Sequence, residues 1–381
     1  MKIALLTDGI YPYVMGGMQK HSYCLAKYLA GLQVYVDLYH YIPGGAGNKG
    51  EVFTEEERKF ITLVELEFPQ RGFLPGHYLH ESFEYSTRIW EAYKRRSGVD
   101  FIYAKGFTAW KLLDIKAKGE HLPPVGVNFH GYEMFQAPAS FKSRLEQYLL
   151  RGPVRFCLIH ADHIFSYGGK ITGMLTDIGV PLNKIIVLPA GIEKEWINED
   201  QVQTGSARRF IFAGRYERRK GIEELTRVLD NWAGPEIHFT FAGPIPESKR
   251  LKRSWIQYTG GIENSDRMKE VMRNADVLVC PSHSEGMPNV ILEAMAGGLA
   301  VIATDVGAVS EMVCGQNGWL IEPASEEALR KALMDAVEMD ASVLDEKRRR
   351  SVSRVRDLFT WDVLAKQTFN MIREKTSLTQ L

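Results

Sequence analysis

The sequence predicts an α/β protein made of two doubly wound domains, each a parallel sheet with helices on both faces. Short apolar runs rich in Val, Ile and Phe recur along the chain, and amphipathic helical patterns separate them. Continuous apolar strands that alternate with helices are typical of a buried parallel sheet. There are thirteen such runs, more than one sheet comfortably holds, and the 381 residues suit two domains.

The predicted strands fall into two groups that divide the chain. Seven are predicted in the first half, at residues 3–6, 34–39, 61–66, 101–103, 125–129, 163–166 and 185–188. Six are predicted in the second half, at residues 210–213, 237–241, 255–258, 277–279, 300–303 and 319–321. Between the groups, Pro189-Ala190-Gly191 ends a strand and a polar, irregular stretch follows. We therefore place the first domain at residues 1–191 and the second at residues 192–359.

Amphipathic patterns predict the helices between these strands. Apolar residues at three- and four-residue spacing from Met18 to Leu29 predict the first helix, with Gly31 as its C-terminal cap. Similar patterns lie at residues 264–275, 326–336 and 359–373. The last of these predicts a helix after the final strand.

Composition excludes several classes of protein. Lys and Arg together number 47, as do Asp and Glu, so the charge balance gives no support to nucleic-acid binding. The cysteines are far apart and form no CxxC pair, which predicts reduced, mostly buried thiols and excludes a zinc site or disulfide framework. They are Cys24, Cys157, Cys280 and Cys314. No apolar run approaches the roughly 20 residues that span a bilayer, and the N-terminal run ends too early for a signal peptide. We expect a soluble, cytoplasmic protein that at most attaches to a membrane surface.

Ligands of an open parallel sheet bind at the carboxyl ends of its strands, so the loops there are the candidate sites. The loop after the first strand reaches its helix through Gly16 and Gly17. Paired glycines at a helix N-terminus let the backbone approach a phosphate, although a plain tight turn is the alternative. His130 and Gly131 follow the fifth strand. There the histidine can donate to a substrate hydroxyl or carry a proton, unless it is purely structural.

A cationic loop follows the first strand of the second domain. Arg215 comes directly after the strand, and Lys220 lies at the start of the next helix. These two cations can neutralise a pyrophosphate, Arg as a fork and Lys as a point charge. We expect the intervening Arg218 and Arg219 to form a solvated cluster.

A later loop carries two glutamates around a predicted helix start. Glu285 precedes Pro288, a residue that favours the beginning of a helix, and Glu293 is the one charged residue of the apolar helix that follows. A carboxylate on a buried helix requires hydrogen-bond donors. A ribose diol would supply them, and so would an ion pair within the protein.

Residues 45–50 match the dinucleotide pattern G-x-G-x-x-G, but the context is wrong for that function. They follow the second predicted strand and lead into polar residues, whereas the dinucleotide pattern needs the first strand–turn–helix unit. We interpret them as a surface loop. The sequence also lacks a G-x-x-x-x-G-K-[ST] loop and the Asp-x-Asp pair of metal-dependent sugar transferases.

In this order and spacing, the motifs resemble those of the GT-B glycosyltransferases of family 4, retaining enzymes that use nucleotide sugars. The resemblance runs nearly end to end. The matching segments are Tyr11-Pro12 with Gly16-Gly17, His130-Gly131, Gly214-Arg215 with Lys220-Gly221, Glu285 to Glu293 with Gly286, Pro288 and Ala294, and Thr360-Trp361-Asp362. They are similar to the family's glycine loop, its His-Gly, its G-R-x-x-x-x-K-G, its E-x7-E and the start of its last helix. The family's fold has two Rossmann-like domains facing a central cleft, and the last helix, residues 360–381 here, crosses back to the first domain.

The resemblance implies a role for each matching residue. On the nucleotide side, Arg215 and Lys220 would hold the donor pyrophosphate with the help of the Gly17 amide. Glu293 would bind the ribose hydroxyls, and the backbone around Ile262 would meet the base. No base contact is assigned to the second loop of this domain, because residues 243–246 read Gly-Pro-Ile-Pro where many members have Gly-Asp-Gly or Gly-Glu-Gly.

On the sugar side, the resemblance implies that Glu285 and His130 contact the transferred sugar. The residues between the two glutamates, Gly286, Met287 and Pro288, would complete the donor-binding loop. The expected partners are a UDP- or GDP-sugar and a glycan or lipid-linked acceptor, as in cell-surface polysaccharide or lipopolysaccharide synthesis. No cofactor and no metal ion are expected, since the nucleotide sugar is a substrate.

Three alternatives stay open at this point. A non-hydrolysing nucleotide-sugar epimerase could use the same scaffold, although the extra acidic and histidine groups it needs are not found. A non-catalytic homologue could hold a nucleotide sugar or a protein only, although all four charged motif residues are present. An NAD enzyme would depend on residues 45–50.

Two segments of the first domain suit an anionic membrane surface. Residues 88–96 combine Ile89, Trp90 and Tyr93 with three cations at the end of a helix. Residues 141–155 combine aromatic and aliphatic residues with Lys and Arg. Such stretches bind the interface of an anionic leaflet, but ordinary helices packed on the sheet have the same composition.

Overall fold

The computed structural model describes residues 1–44, 51–69, 77–96, 98–138, 141–200 and 203–378. It confirms the predicted fold class, because the described chain forms two parallel sheets of seven and six strands with helices packed around them. Each predicted strand is present, with ends that shift by up to two residues. Residues 45–50, interpreted above as a surface loop, lie outside the described residues.

The first sheet is built from the N-terminal half of the chain. Its strands are β1 (Lys2–Leu6), β2 (Tyr35–Tyr41), β3 (Ile61–Leu66), β4 (Phe101–Lys105), β5 (Val125–Asn128), β6 (His163–Ser166) and β7 (Ile185–Val187). They lie in the order β3-β2-β1-β4-β5-β6-β7. The central strands are buried on both faces, which is why they read as continuous apolar runs.

The second sheet repeats this plan. Its strands are β8 (Arg208–Ala213), β9 (Ile237–Ala242), β10 (Ile256–Gly260), β11 (Val277–Cys280), β12 (Ala300–Thr304) and β13 (Gly318–Ile321), in the order β10-β9-β8-β11-β12-β13. In both sheets the first strand lies in the interior and the chain proceeds outward on either side. The loops after β1 and β8 therefore open at the two points where the strand order reverses, and ligands of such sheets bind there.

Thirteen α-helices lie in the described part of the chain. They are α1 (Gly17–Gly31), α2 (Glu55–Arg58), α3 (His77–Tyr93), α4 (Trp110–Ala117), α5 (Phe141–His160), α6 (Gly169–Asp177), α7 (Ile222–Asp230), α8 (Ser265–Arg273), α9 (Asn289–Ala296), α10 (Val309–Met312), α11 (Glu326–Glu338), α12 (Ala341–Leu358) and α13 (Trp361–Leu378).

The last helix packs on the first sheet although it follows the second. Trp361 and Leu364 of α13 are buried in the same cluster as Ile3 and Leu25. Its start is held beside the first connection between the sheets, because the Trp361 N–H donates to the Ile192 carbonyl at 3.0 Å. The chain thus crosses between the two sheets twice, along adjacent paths.

Three local expectations can be compared with the structure. The cysteines are unpaired, and all but Cys314 are buried, as predicted. The cap of α1 was predicted wrongly: Gly31 is still helical, and the residue with left-handed backbone is Gln33, with φ of 60°. The helix ends at Gly31, and its cap is Leu32, whose N–H donates to the Leu29 carbonyl at 3.0 Å.

The proposed membrane face at residues 88–96 is also wrong. Ile89 is fully buried, and Trp90 and Tyr93 pack partly buried against the core of the first domain. The apolar side of α3 is therefore covered by the protein itself. Helical periodicity in the sequence shows that such a side exists but not what covers it.

Candidate active site in the cleft between the sheets

Two adjoining cavities lie where the carboxyl ends of the two sheets face each other. The inner cavity, of about 630 Å³, is lined by His130, Gly131, Lys220, Glu285, Gly286, Met287 and Pro288 among others. The outer cavity, of about 480 Å³, is lined by Gly16, Ile262 and Glu293 among others. Gly17 and Asn289 line both. The structure thus brings together every predicted site residue except Arg215.

Two helix N-termini meet at the boundary of the cavities. Gly17 begins α1 and Asn289 begins α9. A Cβ on Gly17 would lie 3.4 Å from the Asn289 Nδ2 atom, so the two termini are in contact range across the domains. Neither the Gly16 cap nor the Pro288 cap makes a side-chain capping bond. The N–H groups of the first helical turn and the helix dipoles together make this boundary favourable for an anion.

An ion pair lines the inner cavity. Lys220 Nζ donates to Glu285 Oε1 at 2.6 Å, and the Ser282 hydroxyl donates to the same oxygen at 2.8 Å. Arg219 Nη1 lies 3.6 Å from the other carboxylate oxygen, Oε2. Glu285 is only 6% exposed, so its charge depends on these partners. The pair places a cation and a carboxylate within reach of one bound substrate.

Gly221 explains why Lys220 can occupy this position. Its φ is 65°, a left-handed conformation that favours glycine, and a Cβ there would lie 1.8 Å from the Pro281 carbonyl oxygen. The cationic loop is thereby pressed against the end of β11, next to the loop that carries Glu285.

The cations of this loop are distributed differently from the prediction. The Arg215 side chain is 72% exposed and pairs with Glu217 at 2.9 Å, and it does not line the described walls of either cavity. Arg219 lines the inner cavity instead. Arg218 is paired with Glu224 at 2.6 Å and contacts His283. Arg218 and Arg219 keep 39% and 37% of their side-chain surface exposed, as a solvated cluster requires, but both form ion pairs and Arg219 also reaches the cavity.

His130 is held in a constrained position on the other side of the inner cavity. Its backbone φ is 59°, and its N–H donates to the Asn128 Oδ1 atom at 2.7 Å. The Nδ1 atom contacts the Tyr167 hydroxyl, whereas Nε2 is buried with no partner among the described residues. Burial, together with the nearby Lys105, lowers the pKa of His130 well below its usual value. The imidazole is therefore neutral at pH 7, and its unpaired nitrogen suits a substrate hydroxyl.

The two domains touch at the seam between His130 and Glu285. A Cβ on Gly286 would lie 2.6 Å from the Gly131 Cα atom, so both positions require glycine. The Gln136 side-chain amide donates to the Gly131 carbonyl at 2.6 Å and to the Glu285 carbonyl at 2.7 Å. This single side chain joins the domains at the inner cavity, and the sequence pattern did not point to it.

Glu293 lies one helical turn after Asn289, at the wall of the outer cavity. Its carboxylate makes no hydrogen bond in the described part of the chain. Burial raises its pKa, and the attraction of Lys20 only partly offsets that effect. An acceptor with no donor is a place for ligand hydroxyls. Ile262, partly buried, lines the same cavity.

Two other features of the described residues bear on function. They contain no group of three or more His, Cys, Asp or Glu side chains arranged to hold a metal ion. Among the described helices, none has the length and apolar character that crossing a bilayer requires.

Comparison with known proteins gives two family matches in succession. The family described as Glycosyltransferase Family 4 matches residues 15–196, and the one described as Glycosyl transferases group 1 matches residues 207–339. A teichuronic acid biosynthesis glycosyltransferase of Bacillus subtilis (strain 168) is 34% identical over 158 residues, which are 39% of this chain and 40% of that protein. The chain thus spans less than half of that relative's length.

Solved structures share the fold over nearly the whole chain. The sucrose-phosphate synthase from Thermosynechococcus elongatus superposes with a TM-score of 0.80 at 18% identity, covering 99% of both chains. Anabaena HepE, solved in complex with UDP and glucose, has a TM-score of 0.68 at 16% identity and covers 98% of this chain and 100% of its own. At these identities the likeness establishes the architecture alone.

Proposed function

This chain belongs to the GT-B glycosyltransferases of family 4, and from that membership we propose that it transfers a sugar from a nucleotide-sugar donor to a glycan or lipid-linked acceptor. The observation that carries the proposal is the pairing of Lys220 with Glu285 beside two helix N-termini at the switch points of both sheets. One relative, whose name places it in teichuronic acid biosynthesis, supports a role in cell-surface polysaccharide formation.

In this proposal the donor lies across both cavities. The nucleoside occupies the outer cavity, with its ribose at Glu293 and its base at Ile262. The diphosphate lies at the boundary, between the Gly17 amide and Lys220, and the sugar enters the inner cavity between His130 and Glu285. That a solved neighbour of the same fold binds UDP and glucose supports UDP as the nucleotide, with GDP as the alternative.

The chemistry follows from where charge develops. Departure of the nucleoside diphosphate builds negative charge, and cations and N–H groups already in place stabilise it. We propose that the anomeric configuration is retained by front-face attack, with the leaving phosphate accepting the acceptor's proton. Closure of the cleft over the donor would exclude water and so limit wasteful hydrolysis.

A screen for donor hydrolysis tests the proposal. The protein is incubated with UDP-, GDP- and ADP-sugars, and released nucleoside diphosphate is measured. We expect slow release from one donor and faster release once an acceptor is present. Release from none of them would contradict the proposal. The anomeric configuration of the product, read by NMR, tests retention.

We propose that this transfer needs no metal ion, because Lys220 and Arg219 line the inner cavity where a metal would otherwise neutralise the diphosphate. Activity is expected to be unchanged in excess EDTA. Complete loss on chelation, restored by Mn²⁺ or Mg²⁺, would contradict the proposal.

We also propose that the acceptor is presented at an anionic membrane surface and that α5 contacts it. Leu145, Tyr148 and Leu149 of α5 are exposed, Tyr148 by 72%. The next residue, Leu150, lines the inner cavity, so this exposed face lies beside the cavity mouth. The side chains of residues 141–143 lie outside the described part.

Cosedimentation with phosphatidylglycerol vesicles tests this contact. We expect the protein to bind the vesicles in a salt-sensitive way. Binding should be about fivefold weaker in Arg144→Glu, because a cation near an anionic surface contributes ~1 kcal/mol of attraction. The matched control is Lys94→Glu/Arg95→Glu, beside the covered face of α3, which should bind as the wild type does. An equal loss in both variants, or no binding at low salt, would contradict a contact through α5.

A further inference from the structure

Lys105 is a buried lysine with no acidic partner. It ends β4, it is fully buried, and it forms no ion pair with a carboxylate in the part of the chain that the structure describes. Its Nζ atom donates to His21 Nδ1 at 3.0 Å and lies 3.4 Å from the Tyr103 hydroxyl. A lone buried cation is costly, so a lysine in this position needs an explanation.

The Lys105–His21 pair lies next to the proposed diphosphate position, one helical turn beyond Gly17. His21 follows Gly17 by four residues on α1, so the two lie on one helix face, about 6 Å apart along the axis. Gly17 and His21 both line the inner cavity. His21 also lines a small adjoining cavity with Asn289 and Glu293. Its Nε2 atom makes no hydrogen bond to the described residues.

Aromatic rings face the pair from neighbouring elements, and the ionisable side chains of Lys20, Glu193 and Glu293 line the small cavity beside His21. His130 stands edge-on to His21 at 5.6 Å between ring centroids, Tyr167 lies at 6.4 Å and Trp361 of α13 at 4.9 Å. On the sheet side, Asn128 donates to the Tyr103 hydroxyl at 3.2 Å. Burial lowers the pKa values of Lys105 and His21 well below their usual values, and the nearness of Lys105 lowers that of His21 further. In the free protein burial thus disfavours the charged form of the pair.

We propose that the Lys105–His21 pair takes up one proton from solvent when a nucleoside diphosphate binds in the cleft. This inference rests on the proposed function, which places that anion at Gly17. The proton resides on Lys105 Nζ, which donates to His21 Nδ1, while the His21 Nε2–H donates to a phosphate oxygen. His21 touches the substrate, and Lys105 is a positioning residue that acts through it. The positive charge appears only when the anion is present to stabilise it.

The direction of the pH dependence follows from linkage. The anion raises the affinity of the pair for a proton, so a fall in pH strengthens diphosphate binding, by up to about tenfold per pH unit. The pH dependence is confined to the pH range between two proton affinities of the pair, one without the anion and one with it bound. Above pH 7 the diphosphate's own ionisation, with a pKa of about 6, is nearly complete and adds little.

Calorimetric titration with UDP, or with GDP if UDP does not bind, tests the proposal. Titrations at pH 7.5 in Hepes and in Tris, whose ionisation enthalpies differ, give the number of protons taken up. We expect uptake approaching one proton per nucleotide in the wild type. In Lys105→Met we expect uptake near zero and binding weaker by about tenfold or more. His21→Gln, which cannot titrate, should also abolish uptake and serves if Lys105→Met does not fold.

Lys111→Met is the matched control. Lys111 lies on the neighbouring α4 and pairs with Asp114 at 2.9 Å, so its loss should leave proton uptake unchanged. Nucleotide binding without uptake in the wild type, or uptake that persists in both Lys105→Met and His21→Gln, would overturn this inference alone. Failure of every nucleoside diphosphate to bind would overturn the proposed function with it.

Discussion

Lys220→Ala is expected to lower turnover about ten- to a hundredfold or more, since each charge-assisted hydrogen bond contributes about 1.5–3 kcal/mol. Lys220 is the lysine of the cationic loop, and its Nζ atom donates to Glu285 in the inner cavity. Its removal leaves the charge of the leaving diphosphate less well stabilised. Initial rates of donor turnover measure the effect, and circular dichroism confirms that the variant is folded. Near-normal turnover in folded Lys220→Ala would remove this lysine from the proposed diphosphate site.

The two arginines of the same loop provide the matched comparison. The resemblance to family 4 predicts that Arg215 holds the pyrophosphate, but its exposed side chain pairs with Glu217 and is not among the described residues that line either cavity. Arg219 lines the inner cavity. We expect Arg219→Ala to reduce turnover more than Arg215→Ala. The reverse order would mean that Arg215 swings inward when the donor binds.

Glu293→Gln and Glu285→Gln are expected to separate nucleotide binding from sugar transfer. Glu293 faces the outer cavity with no hydrogen-bond donor to its carboxylate among the described residues, so a ribose diol is its expected partner. The Gln variant should bind the free nucleoside diphosphate about tenfold or more weakly, because hydrogen bonds to charged groups contribute about 1.5–3 kcal/mol. Calorimetric titration measures this change.

Glu285 should behave differently because it lies at the sugar. Its variant should bind the free diphosphate nearly as well as the wild type, yet transfer the sugar much more slowly. Lys220 loses its carboxylate partner in this variant, so thermal unfolding is measured in parallel. Equal losses of diphosphate affinity in the two variants would show that the glutamates do not divide the roles in this way.

The strands were predictable because each is a short apolar run. A strand of a parallel sheet that is buried on both faces needs apolar side chains on both, so its sequence reads as a continuous apolar segment. Lys105 shows the limit of that reasoning. The apolar run predicts a strand that ends at Tyr103, yet β4 continues to Lys105. Only the tertiary contact with His21, 84 residues away in sequence, reveals why it is buried.

Some residues of the candidate site could be predicted from the sequence and others could not. Glycines at helix starts and the paired glutamates carry local signals, and the structure places these residues along adjoining cavities. Arg219 and Gln136 carry none, since one arginine in a cationic run looks like another and a lone glutamine suggests a surface. Their positions depend on how two separate domains meet. The covered face of α3 and the exposed face of α5 could not be told apart for the same reason.

The central claim is that a nucleoside diphosphate binds between the two domains, at Gly17, Lys220 and Glu293. Calorimetric titration of the wild-type protein with UDP, GDP, ADP and NAD tests it most directly, with Lys220→Ala and Glu293→Gln measured beside it. We predict that at least one nucleoside diphosphate binds, that NAD does not, and that both variants bind the nucleotide more weakly. Binding of NAD alone, or nucleotide affinity that neither substitution reduces, would contradict the claim.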